Sequence, residues 1–371
     1  MKILLDLRVM DGDWSGIAQY SLNLLFGLSE LPRTHALTLL FRNPAGFDKA
    51  AALLPSLKSA FFKICFLDRG LYHYSNIFFL RRLLISEKVD WYYTPQFFWP
   101  YGMLPTKVAC TIHDIIPLTH PHLLSRSKKV SLRWLLRALT TLCLKCSDLV
   151  FVDSQATSDA LFSIFRTIGQ SHKLYPAIMP IPLPPVSKLC WDFSPEYLLY
   201  VGRQDPYKNL ARLIQAFHGL KKQGYPGKLV IAGKMDGRYP EPGQLVQTLH
   251  LKEEVRFTDF VDNTTLSALY ANCRLVVQPS LVEGFGLTAI EPFLYRKLCV
   301  ASLAPALPEV LGNAALYFNP ENTEDLQSVL WKALKLEESE KEKLLHAGEE
   351  RLKYFHPLRI AKEWIHLLES L

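Results

Sequence analysis

The chain has 371 residues, too long for one ordinary domain and suited to two, each large enough to bury its own core. A composition of 49% hydrophobic, 21% charged and 12% aromatic residues excludes a largely disordered chain, and seven scattered cysteines form no disulfide framework and fit reduced thiols. The formal charge of +7 is carried by the first half: residues 1–185 hold 20 Lys and Arg against 12 Asp and Glu, whereas the rest hold 22 against 23. Such asymmetry points to an anionic partner, phospholipid or nucleic acid, or to a basic face that only aids solubility.

In chain order, Lys2–Arg8 reads as a buried strand, followed by a turn-rich loop, Asp11-Gly12-Asp13-Trp14-Ser15-Gly16, and a helical pattern from Ile17 to Leu28. The early Asp6 leaves no secretory apolar region, so the chain is expected in the cytoplasm. Further apolar runs at Leu37–Phe41, Phe61–Phe66, Val89–Tyr93, Val108–Ile112 and Leu149–Val152 alternate with helix-length segments, which predicts a parallel sheet covered by helices. The segment Ser125–Arg137 is basic and amphipathic around Trp134. It reads either as a helix resting on an anionic bilayer or as an ordinary amphipathic core helix. The apolar stretch from Leu132 to Val152 carries Arg133, Arg137, Lys145 and Asp148, too many charges for a membrane span of about 20 residues.

Five prolines between Tyr175 and Pro185 predict a stiff interdomain linker. The alternation then restarts with strand Tyr197–Val201, helix Leu210–Lys222, strands Leu229–Ala232 and Val255–Phe257, helix Thr265–Ala271, strand Leu275–Gln278, helix Gly286–Leu294 and strand Leu298–Ala301. The predicted class is therefore α/β, two doubly wound Rossmann-like domains with ligands bound in the cleft, beyond the carboxyl ends of the strands. Phe355 to Leu371 reads as a final helix with Trp364, Leu367 and Leu368 on its apolar side.

The most informative stretch is Pro279-Ser280-Leu281-Val282-Glu283-Gly284-Phe285-Gly286-Leu287-Thr288-Ala289-Ile290-Glu291-Pro292. Two glutamates lie eight apart, the first in a glycine-containing loop and the second inside the helix that follows. Gly284 and Gly286 let backbone N–H groups approach a ligand, and a helix beginning near Gly286 would direct its positive end at an anion. Glu291 could accept both hydroxyls of a ribose and Glu283 could grip sugar hydroxyls. The competing reading is a glutamate that solvates a surface helix, but Leu287, Ile290 and Phe293 make this helix largely apolar, where an unpaired carboxylate is costly.

This segment resembles the E-x7-E signature of the retaining glycosyltransferase family 4, and Leu307–Phe318 and Tyr200–Leu210 are similar to other parts of that family. The likeness spans most of residues 197–320, with Thr288 standing where the family often has proline. It implies the GT-B fold: residues 1–180 as an acceptor-binding domain, 186–354 as a nucleotide-sugar-binding domain, and 355–371 as a helix returning to the first. By position, Arg203 and Lys208 would bind the donor diphosphate, Glu291 the ribose, and Glu283 with the backbone of Gly284, Phe285, Gly286 and Leu287 the hexose and distal phosphate. In the first domain, Thr111-Ile112-His113-Asp114 resembles the His-Asp segment of mannosyl and related transferases, which gives His113 a contact with the donor sugar near the reacting carbon. Asp114 would support the strand end or orient His113, and Gly16 would approach the donor phosphate.

The resemblance further implies a hexosyltransferase with no metal or cofactor, since Arg203 and Lys208 can stand in for a metal and Asp11-Gly12-Asp13 is an ordinary turn composition. GDP-mannose is the leading donor, with UDP-glucose and UDP-N-acetylglucosamine behind it. The acceptor would be a glycan or lipid-linked glycan in surface polysaccharide or glycolipid synthesis, met at the inner face of the membrane. Two other readings stand beside this one, a catalytically silent nucleotide-sugar-binding protein and a basic nucleic-acid-binding protein. No recognised nucleic-acid-binding module appears in support of the second. A nicotinamide-dependent dehydrogenase is disfavoured, because neither leading strand is followed by G-x-G-x-x-G.

Overall fold

A computed structural model describes residues 1–11, 16–71, 73–96, 104–124, 126, 133–165, 171–173 and 196–371. The proline-rich linker and most of the predicted basic segment at 125–132 lie outside the described residues. The chain separates into two compact units, one formed by residues 1–119, 132–179 and 355–371, the other by residues 120–131 and 180–354.

The first unit is a parallel seven-stranded sheet of β1 (Lys2–Asp6), β2 (Ala36–Phe41), β3 (Phe62–Phe66), β4 (Trp91–Thr94), β5 (Lys107–Ile112), β6 (Leu149–Val152) and β7 (Ser171–Lys173), in the order β3-β2-β1-β4-β5-β6-β7. Every central strand is a near-continuous apolar run, the pattern of a sheet buried on both faces. Side chains alternate between the faces. Leu4, Tyr92, Cys110 and Val150 meet Leu80, Leu84, Cys143 and Leu161 of helices Asn76–Glu87, Arg133–Cys146 and Gln155–Phe165. On the opposite face, Tyr93 and Thr111 meet Tyr20 of helix Gly16–Ser29 through hydroxyl contacts of 3.2 and 3.3 Å, and Tyr93 and Phe151 pack against Trp364 of helix Pro357–Glu369. The terminal helix packs within the first unit. Its approach to helix Gly16–Ser29 requires Gly27, where a β-carbon would stand 2.2 Å from the Pro357 carbonyl oxygen.

β1 ends at Asp6, two residues short of expectation. The Arg8 guanidinium turns back onto the Asp6 carboxylate at 2.6 Å, and Tyr92 donates to the same oxygen at 2.7 Å, so two fully buried charges satisfy each other only if the strand stops there.

The second unit is a parallel sheet of β8 (Tyr197–Val201), β9 (Lys228–Ala232), β10 (Val255–Asp259), β11 (Leu275–Gln278), β12 (Leu298–Ser302) and β13 (Ala315–Phe318), in the order β10-β9-β8-β11-β12-β13. β13 lies inside a stretch noted only for its family likeness. The expected helix Gly286–Leu294 is instead one α-turn, Leu287–Ile290, followed by a 3-10 segment, Glu291–Tyr295. Pro292 supplies no N–H for an α-helical hydrogen bond and crowds the preceding turn, which forces the change. No helix among the described residues is long and apolar enough to cross a membrane.

Candidate active site

In the second unit the strand order reverses between β8 and β11, and the predicted residues leave the sheet there, beyond the carboxyl ends of these neighbouring strands. After β8 the chain makes a 3-10 turn, Pro206–Lys208, that ends on Asn209 in the left-handed region at φ 60°. Asparagine tolerates that conformation, and its buried amide donates to the Pro279 and Pro320 carbonyls at 2.9 and 2.8 Å. The Leu281 N–H donates to the Tyr207 carbonyl at 2.7 Å, so the two loops are held together by backbone and amide contacts.

These contacts bring Lys208 beside Glu283, with Nζ 2.6 Å from Oε1. The same oxygen accepts from Gln278 Nε2 at 2.7 Å and Ser280 Oγ at 2.6 Å, while Gln278 Oε1 accepts from the Thr288 hydroxyl at 3.2 Å. The side chains of Lys208 and Glu283 are only 12% and 8% exposed, so the pair persists because three donors converge on one carboxylate oxygen. Thr288, the departure from the family pattern, takes part: its hydroxyl fixes the amide that fixes the carboxylate. Arg203 is mostly exposed and pairs with the buried Asp205 at 2.7 Å, leaving its guanidinium at the solvent edge of the same strand end.

Gly286 sits at φ 92°, and a β-carbon there would meet Leu307 at 2.5 Å. Glycine therefore permits the turn that carries the backbone from Glu283 into Leu287. With a single α-turn behind it, that backbone offers N–H groups to a ligand but little macrodipole, contrary to the expectation from a longer helix. Glu291 follows with its carboxylate accepting from the Tyr270 hydroxyl at 2.7 Å. Burial pushes its carboxyl up to about 7, and the Tyr270 hydrogen bond only partly opposes the rise.

The first unit places His113 at the carboxyl end of β5. Its Nδ1 lies 2.6 Å from Asp153 Oδ2, its Nε2 lies 2.8 Å from the Pro95 carbonyl oxygen, and the Tyr20 ring packs edge-on at 4.8 Å. Both partners are acceptors, so the doubly protonated ring satisfies the pair. Burial disfavours that charge, but Asp153 and the Pro95 carbonyl outweigh it and hold the His113 pKa above the ordinary histidine value. Asp114 instead accepts from the Ile116 N–H at 3.0 Å and shapes the turn, so its part is to support the strand end. Gly16 opens helix Gly16–Ser29, and among the described residues no atom lies within 4 Å of a would-be β-carbon there. Asp13 lies outside the described residues, and among the described residues no three His, Cys, Asp or Glu side chains gather as metal ligands.

Two family profiles match the chain, "Glycosyltransferase Family 4" over residues 14–170 and "Glycosyl transferases group 1" over residues 188–351, and between them they span most of it. The chain belongs to glycosyltransferase family 4. It is 29% identical over 278 residues to the serotype-specific mannosyltransferase WbdA of Escherichia coli, covering 69% of this chain and 32% of that protein. It thus spans about a third of the length of the first curated relatives it matches. The O-antigen chain mannosyltransferase RfbU of Salmonella typhimurium is 26% identical, with 88% of this chain and 90% of that protein covered. Among solved structures, HepE of Anabaena in complex with UDP and glucose superposes with a TM-score of 0.74 at 18% identity, covering all of both chains. That likeness shows the fold, GT-B.

Four supporting residues, three in the second unit and one in the first, escaped the sequence reading. Gln278 and Ser280 orient Glu283, Asn209 ties the loops, and Asp153 sets the charge of His113. Gln278, Ser280 and Asp153 are polar residues at or just after a strand's carboxyl end, which is the signal that could have found them, whereas Asn209 follows the 3-10 turn beyond β8. Asp153 yields a direct expectation. In Asp153→Asn the carboxylate is gone, so the His113 pKa should fall, as followed by the imidazole resonances in an NMR titration. A His113 titration identical to wild type would contradict this account. Because the wild-type value is raised, the contribution of His113 to stability is complete below the ordinary histidine pKa and is lost as pH rises through the raised one.

Proposed function

We propose that this family 4 member is a retaining hexosyltransferase that moves mannose from GDP-mannose to a glycan or lipid-linked acceptor in surface polysaccharide synthesis. The observation that carries this reading is the convergence of Lys208, Gln278 and Ser280 on Glu283 Oε1, beside the backbone N–H groups of Gly284 to Leu287. A fixed carboxylate next to a buried cation suits a ligand with a polyhydroxyl ring at one end and a diphosphate at the other. The mannosyltransferase names of WbdA and RfbU support the hexose.

Cleavage of the sugar–diphosphate bond develops positive charge at the anomeric carbon and negative charge on the leaving oxygen. Lys208 and Arg203 meet the negative charge, so no metal is required at the diphosphate. Glu283 holds the sugar hydroxyls, and His113, whose charged form Asp153 favours, takes the contact with the donor sugar that the family resemblance assigns to it. The acceptor oxygen attacks from the face that the diphosphate leaves, forming the new C–O bond as the old one breaks, and the departing phosphate oxygen takes the acceptor's proton. The stereochemical outcome is retention.

Glu291 binds the ribose hydroxyls, and its raised pKa gives that contact a pH dependence. Between about 4.5 and about 7 the folded protein keeps a proton that the unfolded chain has lost, so this residue's contribution to stability falls as pH rises through that window. Donor binding runs the other way. The ionised carboxylate accepts both hydroxyls, so donor affinity should rise between pH 6 and 8, by up to about tenfold per pH unit, and the rise should vanish in Glu291→Gln. Isothermal titration at several pH values reads this directly. A slope equal to wild type in the variant would remove Glu291 from the ribose site.

The donor itself is tested by thermal shift with GDP-mannose, UDP-glucose, UDP-N-acetylglucosamine, NADH and a single-stranded oligonucleotide, since only a ligand of the folded state stabilises it. The expected result is a shift with GDP-mannose that is lost in Glu291→Ala. A shift with only NADH or the oligonucleotide would overturn the proposal.

A further inference from the structure

The two helical layers of the first unit differ in what they show to solvent. Among the described residues, helices Gly16–Ser29, Pro44–Leu53 and Pro357–Glu369 on one face of the sheet expose a single large hydrophobic side chain, Leu53. The opposite layer, helices Asn76–Glu87, Arg133–Cys146 and Gln155–Phe165, exposes seven. Each of its helices contributes an aromatic ring: Phe78 is 71% exposed, Trp134 68% and Phe162 62%. None of the three packs into the core beneath, which is made instead by Leu80, Leu84, Cys143, Leu144 and Leu161. Scattered apolar residues need no explanation, but seven on one layer against one on the other is a pattern.

The pattern is cationic as well. Phe78, Arg81, Arg82 and Ile85 fall at i, i+3, i+4 and i+7, so they share the outward side of their helix and, with Ser86, line a shallow hollow of about 330 Å³. On helix Arg133–Cys146 the exposed Trp134 and Leu142 are interspersed with Arg133, Arg137 and Lys145. Across the three helices five Arg and Lys stand against two acids, Glu87 and Asp159, and Glu87 is already engaged by Lys63. A face that mixes exposed rings with arginines fits an anionic phospholipid bilayer, where the rings enter the boundary between headgroups and acyl chains and the guanidinium groups meet lipid phosphates. A second copy of this chain would bring the same cations to the contact and repel.

We propose that the layer formed by helices 76–87, 133–146 and 155–165 docks this protein on an anionic bilayer surface. The inference rests on the lipid-linked acceptor reading for its purpose but not for its test, because vesicle binding needs no donor and the donor-induced thermal shift needs no vesicle.

The test is co-sedimentation of the full chain with vesicles of phosphatidylcholine, alone or mixed with phosphatidylglycerol, at rising salt. The chain should pellet with the mixed vesicles at low salt, release as salt rises, and stay in solution with phosphatidylcholine alone. Phe78→Ser combined with Trp134→Ser should weaken binding about tenfold or more, and Arg81→Glu with Arg82→Glu should do the same at low salt. Leu53→Ser, on the opposite layer, should leave binding at the wild-type level. An unfolding midpoint equal to wild type, read without any donor, shows that each variant is folded. The proposal is overturned if wild type fails to bind mixed vesicles, if the Phe78/Trp134 variant binds as wild type does, or if Leu53→Ser weakens binding equally. It is also overturned if sedimentation velocity shows a dimer that the Phe78/Trp134 variant dissolves while vesicles are ignored.

Discussion

Lys208→Ala should lower kcat/KM by about 10²–10³, the range seen when one preorganised donor to developing negative charge is removed. The loss should appear in kcat and persist at saturating donor, because charge on the leaving diphosphate grows on the way to the transition state and a cation fixed 2.6 Å from Glu283 answers that growth without reorganising. A purely structural role predicts something else. The variant leaves Glu283 with Gln278 and Ser280 as its remaining donors, a cost of about 1–3 kcal/mol in stability that temperature would expose and turnover at low temperature would not. Unfolding midpoint and kcat measured on the same preparation separate the two. A normal kcat with a lowered midpoint would make Lys208 a support for Glu283 and nothing more.

Trp364→Ala should cost about 3–5 kcal/mol, the range for removing a large buried aromatic side chain. Trp364 has no solvent exposure, packs edge-on to Tyr93 at 5.1 Å and parallel to Phe151 at 6.3 Å, and anchors helix Pro357–Glu369 on the sheet of the first unit. Among the described residues its buried indole N–H meets no acceptor. An unmet donor costs about 1–3 kcal/mol, so Trp364→Phe, which discards the donor and keeps most of the ring, should be far milder than Trp364→Ala. Urea unfolding of both variants, read on the transition that includes the first unit, tests the pair, since two units need not unfold as one. Equal losses for Phe and Ala would mean that ring volume contributes little.

The parts of this fold that were legible in the sequence are those dictated by burial. Strands Tyr197–Val201, Leu275–Gln278 and Leu149–Val152 and helix Leu210–Lys222 match their apolar patterns residue for residue, because the strands are buried throughout and the helix buries one continuous face. The misses are places where one polar or imino residue overrides the pattern. Arg8 ends β1 by turning onto Asp6, and Pro292 converts the second half of a helix into 3-10. The three-residue β7 carries too little apolar periodicity to be seen at all.

The site divides in the same way. Glu283, Lys208 and the glycines of the loop were readable from spacing and resemblance, because glycine next to a strand end has a backbone meaning whatever the fold around it. Their supports were not readable. Nothing local couples Gln278 to Thr288 ten residues on, or His113 to Asp153 forty residues away. The first pair exists because the loop after β11 turns back at Gly286, the second because β5 adjoins β6, a fact of sheet order that no single stretch of sequence contains.

The central claim is sugar transfer with retention from a nucleotide donor, and the most direct measurement is proton NMR of a reaction holding the protein, GDP-mannose and a mannosylated acceptor. The account predicts loss of the donor's anomeric signal, release of GDP and a new signal of the same α configuration, all slowed by about 10²–10³ with Lys208→Ala. A β-configured product would contradict retention, and an undiminished donor signal with every nucleotide sugar and acceptor offered would contradict the transferase reading itself.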